Sequence, residues 1–184
     1  MTDEHEARTF VVVTGLAGAG KTTVGEPLAA ALGVRYISKD RIKEALFDAV
    51  GYGGWDLSKT LSHASDIAMV RIAQDLDGAV LDNFWHPDIA VDLLSPLSDG
   101  MVELCCRCRP AVAFERWSSR HRHPGHADGE NPDDVRTFMA YAEGLPLRTL
   151  GPVSRSTASS RPTSHAWCRW SATLSRTGRG SAGA

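Results

Sequence analysis

A glycine-rich stretch near the beginning of the chain constrains the possible fold more than any other feature. Residues 15–22 read Gly-Leu-Ala-Gly-Ala-Gly-Lys-Thr and fit the pattern G-x-x-x-x-G-K-[ST]. The β-branched run Thr9–Val13 before it predicts a buried strand, and the apolar spacing of Lys21–Leu32 after it predicts a helix. Glycines let successive backbone N–H groups point at one anion, and the helix N-terminus adds partial positive charge. The stretch therefore predicts a loop that holds phosphate groups.

Nucleotide contacts are predicted for this loop and for the first turn of the helix. Lys21 has the length to reach the β- and γ-phosphates, and the Thr22 hydroxyl can ligate Mg²⁺. Asp82 ends another predicted strand, where an acid can hold the same ion near the phosphates. We therefore predict Thr22 and Asp82 as metal ligands. The predicted nucleotide contacts are Gly15, Leu16, Ala17, Gly18, Ala19, Gly20, Lys21, Thr22 and Thr23.

Up to about residue 150, short apolar runs alternate with longer amphipathic stretches. The predicted strands are Thr9–Val13, Val34–Ser38, Ala79–Asp82 and Met101–Cys106. The predicted helices are Lys21–Leu32, Asp40–Val50, Leu57–Leu76, Pro87–Leu94, Pro110–Arg120 and Val135–Glu143. Strands that alternate with helices form βαβ units, which place helices on both faces of a parallel sheet. We therefore predict a three-layer α/β fold with a parallel sheet of four or five strands.

Three further charged residues are candidates for the chemistry. Asp40 follows the second predicted strand, at the sheet edge where ligands bind in open α/β folds, and can accept a proton from a hydroxyl group. The alternative is that Asp40 caps the N-terminus of the next helix. Arg116 and Arg120 are four residues apart on one helix face and can neutralise a phosphoryl group, unless they belong to an arginine-rich surface.

Other nucleotide-binding classes lack their signatures here. The chain contains no [NT]-K-x-D guanine-recognition motif and no Leu-Ser-Gly-Gly-Gln segment, so neither a GTPase nor an ABC ATPase fits. We expect a chain of 184 residues to be too short for a full AAA+ module or a helicase. A small phosphotransferase remains as the interpretation.

A more specific resemblance rests on four stretches of the chain: Val11–Val24, Ile37–Lys43, Ala79–Trp85 and Cys106–His126. The chain resembles the small P-loop kinases grouped with the zeta toxins, chloramphenicol phosphotransferase and polynucleotide 5′-kinase domains. Within that group it is most similar to actinobacterial proteins labelled AAA-family ATPases or kinases. The resemblance extends over residues 9–150.

This resemblance implies an ATP-dependent kinase that uses Mg²⁺ and phosphorylates a hydroxyl group of an unidentified small-molecule acceptor. It implies that Asp40 faces the acceptor. It also implies a lid over residues 116–134 that closes on ATP and brings Arg116 and Arg120 to the transferring phosphoryl group. The alternative is an ATP-binding protein without transferase activity, either an ATPase or an inactive, truncated kinase.

Charge is distributed unevenly along the chain. Residues 1–150 hold all 22 acidic residues and 15 of the 20 basic ones, which gives a net charge of −7. An acidic folded part argues against a nucleic-acid partner. No apolar run approaches the roughly 18 residues of a membrane-spanning helix, and the acidic residues within positions 1–8 are unlike a signal peptide. We therefore predict a cytoplasmic protein with no membrane partner.

The segment from residue 151 to residue 184 differs in composition from the rest. It contains 12 Ser or Thr and five Arg, but no Asp, Glu or Lys, and it shows no helical or strand periodicity. We predict an irregular tail after a domain that ends near residue 150. Such a segment is either disordered or the product of a frameshift. If 153–176 are back-translated with G/C-ending codons, another frame gives a segment that begins Leu-Glu-Val-Asp.

Overall fold

The computed structural model describes residues 8–98, 101–126, 132–143, 154–156 and 169–174. The strands are β1 (Thr9–Thr14), β2 (Arg35–Ser38), β3 (Gly78–Asp82), β4 (Met101–Arg107), β5 (Ser154–Ser156) and β6 (Arg169–Leu174). The α-helices are α1 (Lys21–Leu32), α2 (Lys39–Val50), α3 (Gly54–Gln74), α4 (Pro87–Leu94), α5 (Pro110–Ser119) and α6 (Pro132–Glu143). Short 3₁₀ turns span Ser95–Leu97 and Pro124–His126.

The four predicted strands form the parallel part of one sheet. The strand order is β2-β3-β1-β4-β6-β5, and β2, β3, β1 and β4 all run in the same direction. One row across this part aligns Ile37, Leu81, Val12 and Glu103. Because parallel strands end at the same edge, the loop after β1 lies beside the ends of β2 and β3. The predicted α/β fold with a parallel sheet is confirmed.

Two antiparallel strands extend the sheet beyond β4. β6 pairs with β4 and β5 pairs with β6, both antiparallel. Both strands come from the segment that the sequence analysis describes as irregular, and their pairing was not predicted. Backbone N–H and C=O groups supply ladder hydrogen bonds without any alternation of apolar side chains, so composition alone does not reveal such strands.

Helices cover both faces of the sheet and bury its side chains. On one face, Phe10, Val12 and Leu81 pack with Met69 of α3 and Leu94 of α4. On the other face, the strand residues Val11, Val13 and Val80 pack with three helices. The helix residues are Ala29 of α1, Trp117 of α5 and Met139 of α6. β1 and β3 are apolar on both faces because both faces are covered. None of the described helices combines the length and apolar composition needed to cross a bilayer.

Two helix boundaries differ from the prediction in ways that affect the site. α2 begins at Lys39 with Ser38 at the N-cap position, so Asp40 lies in the first helical turn and not at the cap. α3 begins at Gly54, three residues before the predicted start at Leu57, and the earlier start places Trp55 on the helix. The positive φ of 77° at Gly54 suits glycine and is not visible as apolar periodicity.

The loop between β1 and α1 packs closely against α5. A Cβ atom at Gly18 would lie 2.2 Å from the carbonyl oxygen of Ala113, whereas one at Gly20 would meet no atom within 4 Å. Both glycines have positive φ, 80° and 89°. A non-glycine residue in this region costs about 1–2 kcal/mol, and a forced backbone contact adds about 1–3 kcal/mol.

We therefore expect Gly18→Ala to destabilise the protein by about 3 kcal/mol or more and Gly20→Ala by about 1–2 kcal/mol. The two substitutions share the strained backbone, so their difference isolates the contact with α5. Urea unfolding of both variants measures it. Equal losses in the free energy of unfolding would show that the contact between the loop and α5 does not contribute to stability.

Candidate active site

Lys21 begins α1 and bends back over the loop that precedes it. Its Nζ donates hydrogen bonds to the carbonyl oxygens of Gly15 at 2.9 Å and Leu16 at 3.0 Å. Burial lowers the pKa of the Lys21 ammonium, against the opposing effects of Asp82 and Asp40. A partly desolvated cation of this kind is stabilised by an anion that binds beside it. The position of Lys21 therefore suits a phosphate group bound at the loop.

Thr22 and Asp82 meet beside Lys21. The Thr22 hydroxyl donates to Asp82 Oδ2 at 2.9 Å, and the Tyr36 hydroxyl donates to the same oxygen. Asp82 is 5% exposed. Burial, and then the hydrogen bond to Asp82, raise the pKa of Tyr36, so its hydroxyl stays protonated and keeps donating.

The Thr22–Asp82 pair fits a magnesium site shared with phosphate. Mg²⁺ is usually held by one or two carboxylates together with substrate phosphates and water, not by a full protein cage. The hydroxyl and the carboxylate supply hard oxygen ligands next to the phosphate-binding loop. Within the described residues no group of three or more His, Cys, Asp or Glu forms a separate metal-binding cluster.

Asp40 lines the same cleft as the loop and contacts Arg122. Arg122 Nη2 donates to Asp40 Oδ2 at 2.7 Å. Burial on its own would raise the pKa of Asp40, but Arg122, His126 and Lys21 outweigh it and the pKa is lowered. Asp40 is therefore an ionised carboxylate at neutral pH, which is the form that can accept a proton.

A second network of charged and polar side chains joins α2 to α3 and to the residue after β3. Lys39 Nζ contacts Asp66 Oδ1 at 2.9 Å, and Asn83 Nδ2 donates to the same oxygen at 2.8 Å. Lys43 Nζ donates to Ser58 Oγ at 2.9 Å and joins α2 to α3. These bonds hold the first turn of α2, which carries Asp40, against α3 and the end of β3.

One cleft of about 750 Å³ unites most of the predicted site residues. Its lining includes Ala17, Gly18, Ala19, Gly20, Lys21, Thr22, Thr23, Asp40, Asp82, Arg116 and Arg120. Gly15 and Leu16, which were predicted as nucleotide contacts, are not part of this lining. Their carbonyl groups hold Lys21 instead, and Leu16 is buried.

Several residues around the site were not predicted from the sequence. Tyr36 holds Asp82, and Asp66 holds Lys39 and Asn83. Phe84 and Phe138, whose ring centroids are 5.3 Å apart, add an apolar wall to the cleft. The only sequence signal for Tyr36 is its place in the strand that ends beside Asp82. Gly25 leaves room for its ring, because a Cβ there would lie 2.8 Å from Tyr36 Cε2.

No family model and no curated protein matches this chain. Among solved structures it is similar to a presumed kinase from Chloroflexus aurantiacus j-10-fl, with 25% identity, a TM-score of 0.66, and coverage of 78% of this chain and 85% of that one. It is also similar to a gluconokinase from Sinorhizobium meliloti 1021, with 18% identity, a TM-score of 0.53, and coverage of 77% and 78%.

A third similar structure is shikimate kinase from Acinetobacter baumannii in complex with shikimate, with 16% identity, a TM-score of 0.53, and coverage of 74% and 76%. At such identities the gluconokinase and the shikimate kinase bear on the fold alone. Together with the loop and the sheet order described above, the three structures establish that this chain has the fold of the P-loop kinases.

Proposed function

We propose that this chain is an ATP-dependent kinase that transfers the γ-phosphate of ATP to a hydroxyl group of a small-molecule acceptor. The observation that carries the proposal is that Lys21, the Thr22–Asp82 pair, Asp40, Arg116 and Arg120 line one cleft. Its volume of about 750 Å³ is within the range of small-molecule sites. The fold shared with a gluconokinase and a shikimate kinase supports the same conclusion.

In this proposal the loop end of the cleft holds the triphosphate. Backbone N–H groups of the loop and the N-terminus of α1 point to the phosphates, and Lys21 contacts the β- and γ-phosphates. Thr22 and Asp82 would hold Mg²⁺, which neutralises phosphate charge when it is bound. Arg116 and Arg120 lie at the end of α5 and line the same cleft, where they stabilise charge on the phosphoryl group.

Asp40 acts at the acceptor end of the cleft. The acceptor oxygen forms a bond to the γ-phosphorus while the bond from that phosphorus to the bridging oxygen of ADP breaks. The proton of the acceptor hydroxyl passes to the Asp40 carboxylate, which is ionised at neutral pH. In this proposal a lid over residues 116–134, of which 127–131 lie outside the described residues, covers ATP and carries Arg116 and Arg120.

In this proposal the protein is cytoplasmic and has no nucleic-acid partner, which agrees with the net negative charge of residues 1–150.

We further propose that residues 151–184 are read out of frame. Sequencing the gene tests this directly, and an intact, conventional frame in related genomic copies would contradict it.

Acceptor-dependent formation of ADP tests the proposed activity. The full chain with MgATP is offered sugars, sugar acids, polyols and amino alcohols, and a 5′-hydroxyl oligonucleotide at physiological salt forms a separate arm. We expect one small-molecule class to raise ADP formation above the acceptor-free rate and to gain a phosphate that mass spectrometry detects. MgATP binding without any such increase would favour the alternative, a nucleotide-binding protein without transferase activity. A phosphorylated oligonucleotide would instead indicate a nucleic-acid kinase.

A further inference from the structure

The segment from Arg122 to His126 is attached along one face of α2 by three polar contacts, one from an arginine and two from histidines. The carboxylates of α2 that make them recur every four residues, which places them on the same helix face: Asp40, Glu44 and Asp48. The contacts are Arg122 to Asp40 at 2.7 Å, His126 to Glu44 at 3.0 Å, and His123 to Asp48 at 3.1 Å. The segment that follows α5 therefore packs on the helix that carries Asp40.

Close apolar packing fixes the same segment. Phe47 of α2 is 1% exposed, and a Cβ atom at Gly125 would lie 2.4 Å from its ring. The ring of His123 stacks on Phe47 with a centroid distance of 5.6 Å and an angle of 6° between the planes. Because the backbone at Gly125 touches the ring directly, the segment has little freedom to shift along α2.

This docking determines where the Arg122 guanidinium lies. The Arg122 side chain is 15% exposed, and its Nη2 is also 3.3 Å from His126 Nε2, which in turn contacts Glu44. Asp40 is 49% exposed and borders the cleft. One oxygen of Asp40, Oδ2, accepts the hydrogen bond from Arg122. Arg122 thus fixes the position of the Asp40 carboxylate, which still borders the cleft.

We propose that Arg122 is a positioning residue for Asp40, which fixes one carboxylate oxygen from the docked segment and leaves the other to the acceptor hydroxyl. The proposal rests on the proposed function for what Asp40 does, but the contact itself is independent of it. Arg122 thereby has a different role from Arg116 and Arg120, since it is the arginine that is hydrogen-bonded to Asp40. The lowered pKa of Asp40 agrees with this arrangement; Arg122 is the largest cause of the lowering, and His126, Lys21 and Arg120 add to it.

A titration of Asp40 tests the proposal without an acceptor. The protein is labelled with ¹³C at the aspartate carboxyl carbons, the Asp40 signal is assigned with Asp40→Asn, and its chemical shift is followed against pH. We expect Arg122→Met to raise the pKa of Asp40 by about one unit or more, because an adjacent cation lowers a carboxyl pKa by about 1–3 units. Arg122→Lys, which keeps the charge, should retain most of the lowering. Arg109→Met, at an exposed arginine outside the cleft, is the matched control and should change nothing.

An unchanged Asp40 pKa in folded Arg122→Met overturns the proposal, and so does a shift of equal size in Arg109→Met. If Arg122→Met does not fold, the comparison of Arg122→Lys with Arg122→Gln decides in the same way. Once an acceptor is found, the loss of kcat at low pH should move to higher pH together with the Asp40 pKa, while MgATP affinity stays constant. Failure of the proposed function gives a different pattern, in which the titration shifts as expected but the wild-type chain phosphorylates no acceptor.

Discussion

Lys21→Ala is expected to weaken MgATP binding by about 100-fold. Each hydrogen bond to a charged partner contributes about 1.5–3 kcal/mol, and we assign Lys21 two of them, to the β- and γ-phosphates. A loss of about 3 kcal/mol corresponds to roughly 100-fold in affinity. Isothermal titration of MgATP into the wild-type chain and the variant measures the difference.

The stability of the variant separates this effect from a folding defect. Lys21 is half-buried, and loss of hydration is the main cause that lowers the pKa of its ammonium. Removing a partly desolvated cation relieves a desolvation penalty, so we expect the free energy of unfolding to fall by no more than about 1 kcal/mol. Arg71→Ala, at an exposed position on α3, is the matched loss of one positive charge. Equal MgATP affinity in wild type and Lys21→Ala would contradict the proposed phosphate site.

The strand–loop–helix unit around Lys21 was predictable because its signals are local. The helices Lys21–Leu32 and Pro87–Leu94 agree with the prediction to the residue. Apolar runs and helical spacing are properties of short, contiguous stretches of sequence. The alternation of strands with helices then predicts a parallel sheet. The motif also fixes Lys21 and Thr22 relative to the loop, since their positions depend on only a few backbone angles.

The contacts between distant segments were not predictable in the same way. Arg122 and Asp40 are 82 residues apart in sequence, and Tyr36 and Asp82 are 46 apart. Their meeting depends on strand order and on how α2 and α5 face each other, which periodicity does not encode. The position of Asp40 just after the second strand could be predicted from the sequence, but the arginine that holds its carboxylate could not.

The earlier start of α3 shows the same limit on a smaller scale. The apolar stripe of this helix predicts a start at Leu57, whereas the backbone turns into the helix at Gly54. The first turn carries Trp55, which lines the cleft together with Ser58 and Ser62 of the same helix. A wall of the cleft therefore comes from residues whose helical position the apolar periodicity does not reveal.

Asp40→Asn is expected to lower kcat for acceptor phosphorylation by about 10²–10⁴-fold, the usual contribution of a general base. Asparagine has nearly the same shape as aspartate and keeps an oxygen that can accept the hydrogen bond from Arg122 Nη2. The substitution therefore removes the negative charge and the proton acceptor while it preserves the position of the group. Arg122 is the described hydrogen-bond partner of Asp40, and Lys21 feels the charge of Asp40 only through longer-range attraction. MgATP affinity should therefore change by no more than about threefold.

Asp75→Asn, at an exposed carboxylate beyond the end of α3, is the control for the loss of one negative charge and should leave kcat unchanged. Initial rates of ADP formation with the acceptor from the screen, together with MgATP titrations, separate the possible roles of Asp40. A large fall in kcat with constant MgATP affinity assigns Asp40 to the acceptor step. A large loss of MgATP affinity would place Asp40 at the nucleotide instead. Full acceptor-dependent turnover in Asp40→Asn would remove it from the chemistry, and Arg122 would then hold a carboxylate that serves only to dock the segment on α2.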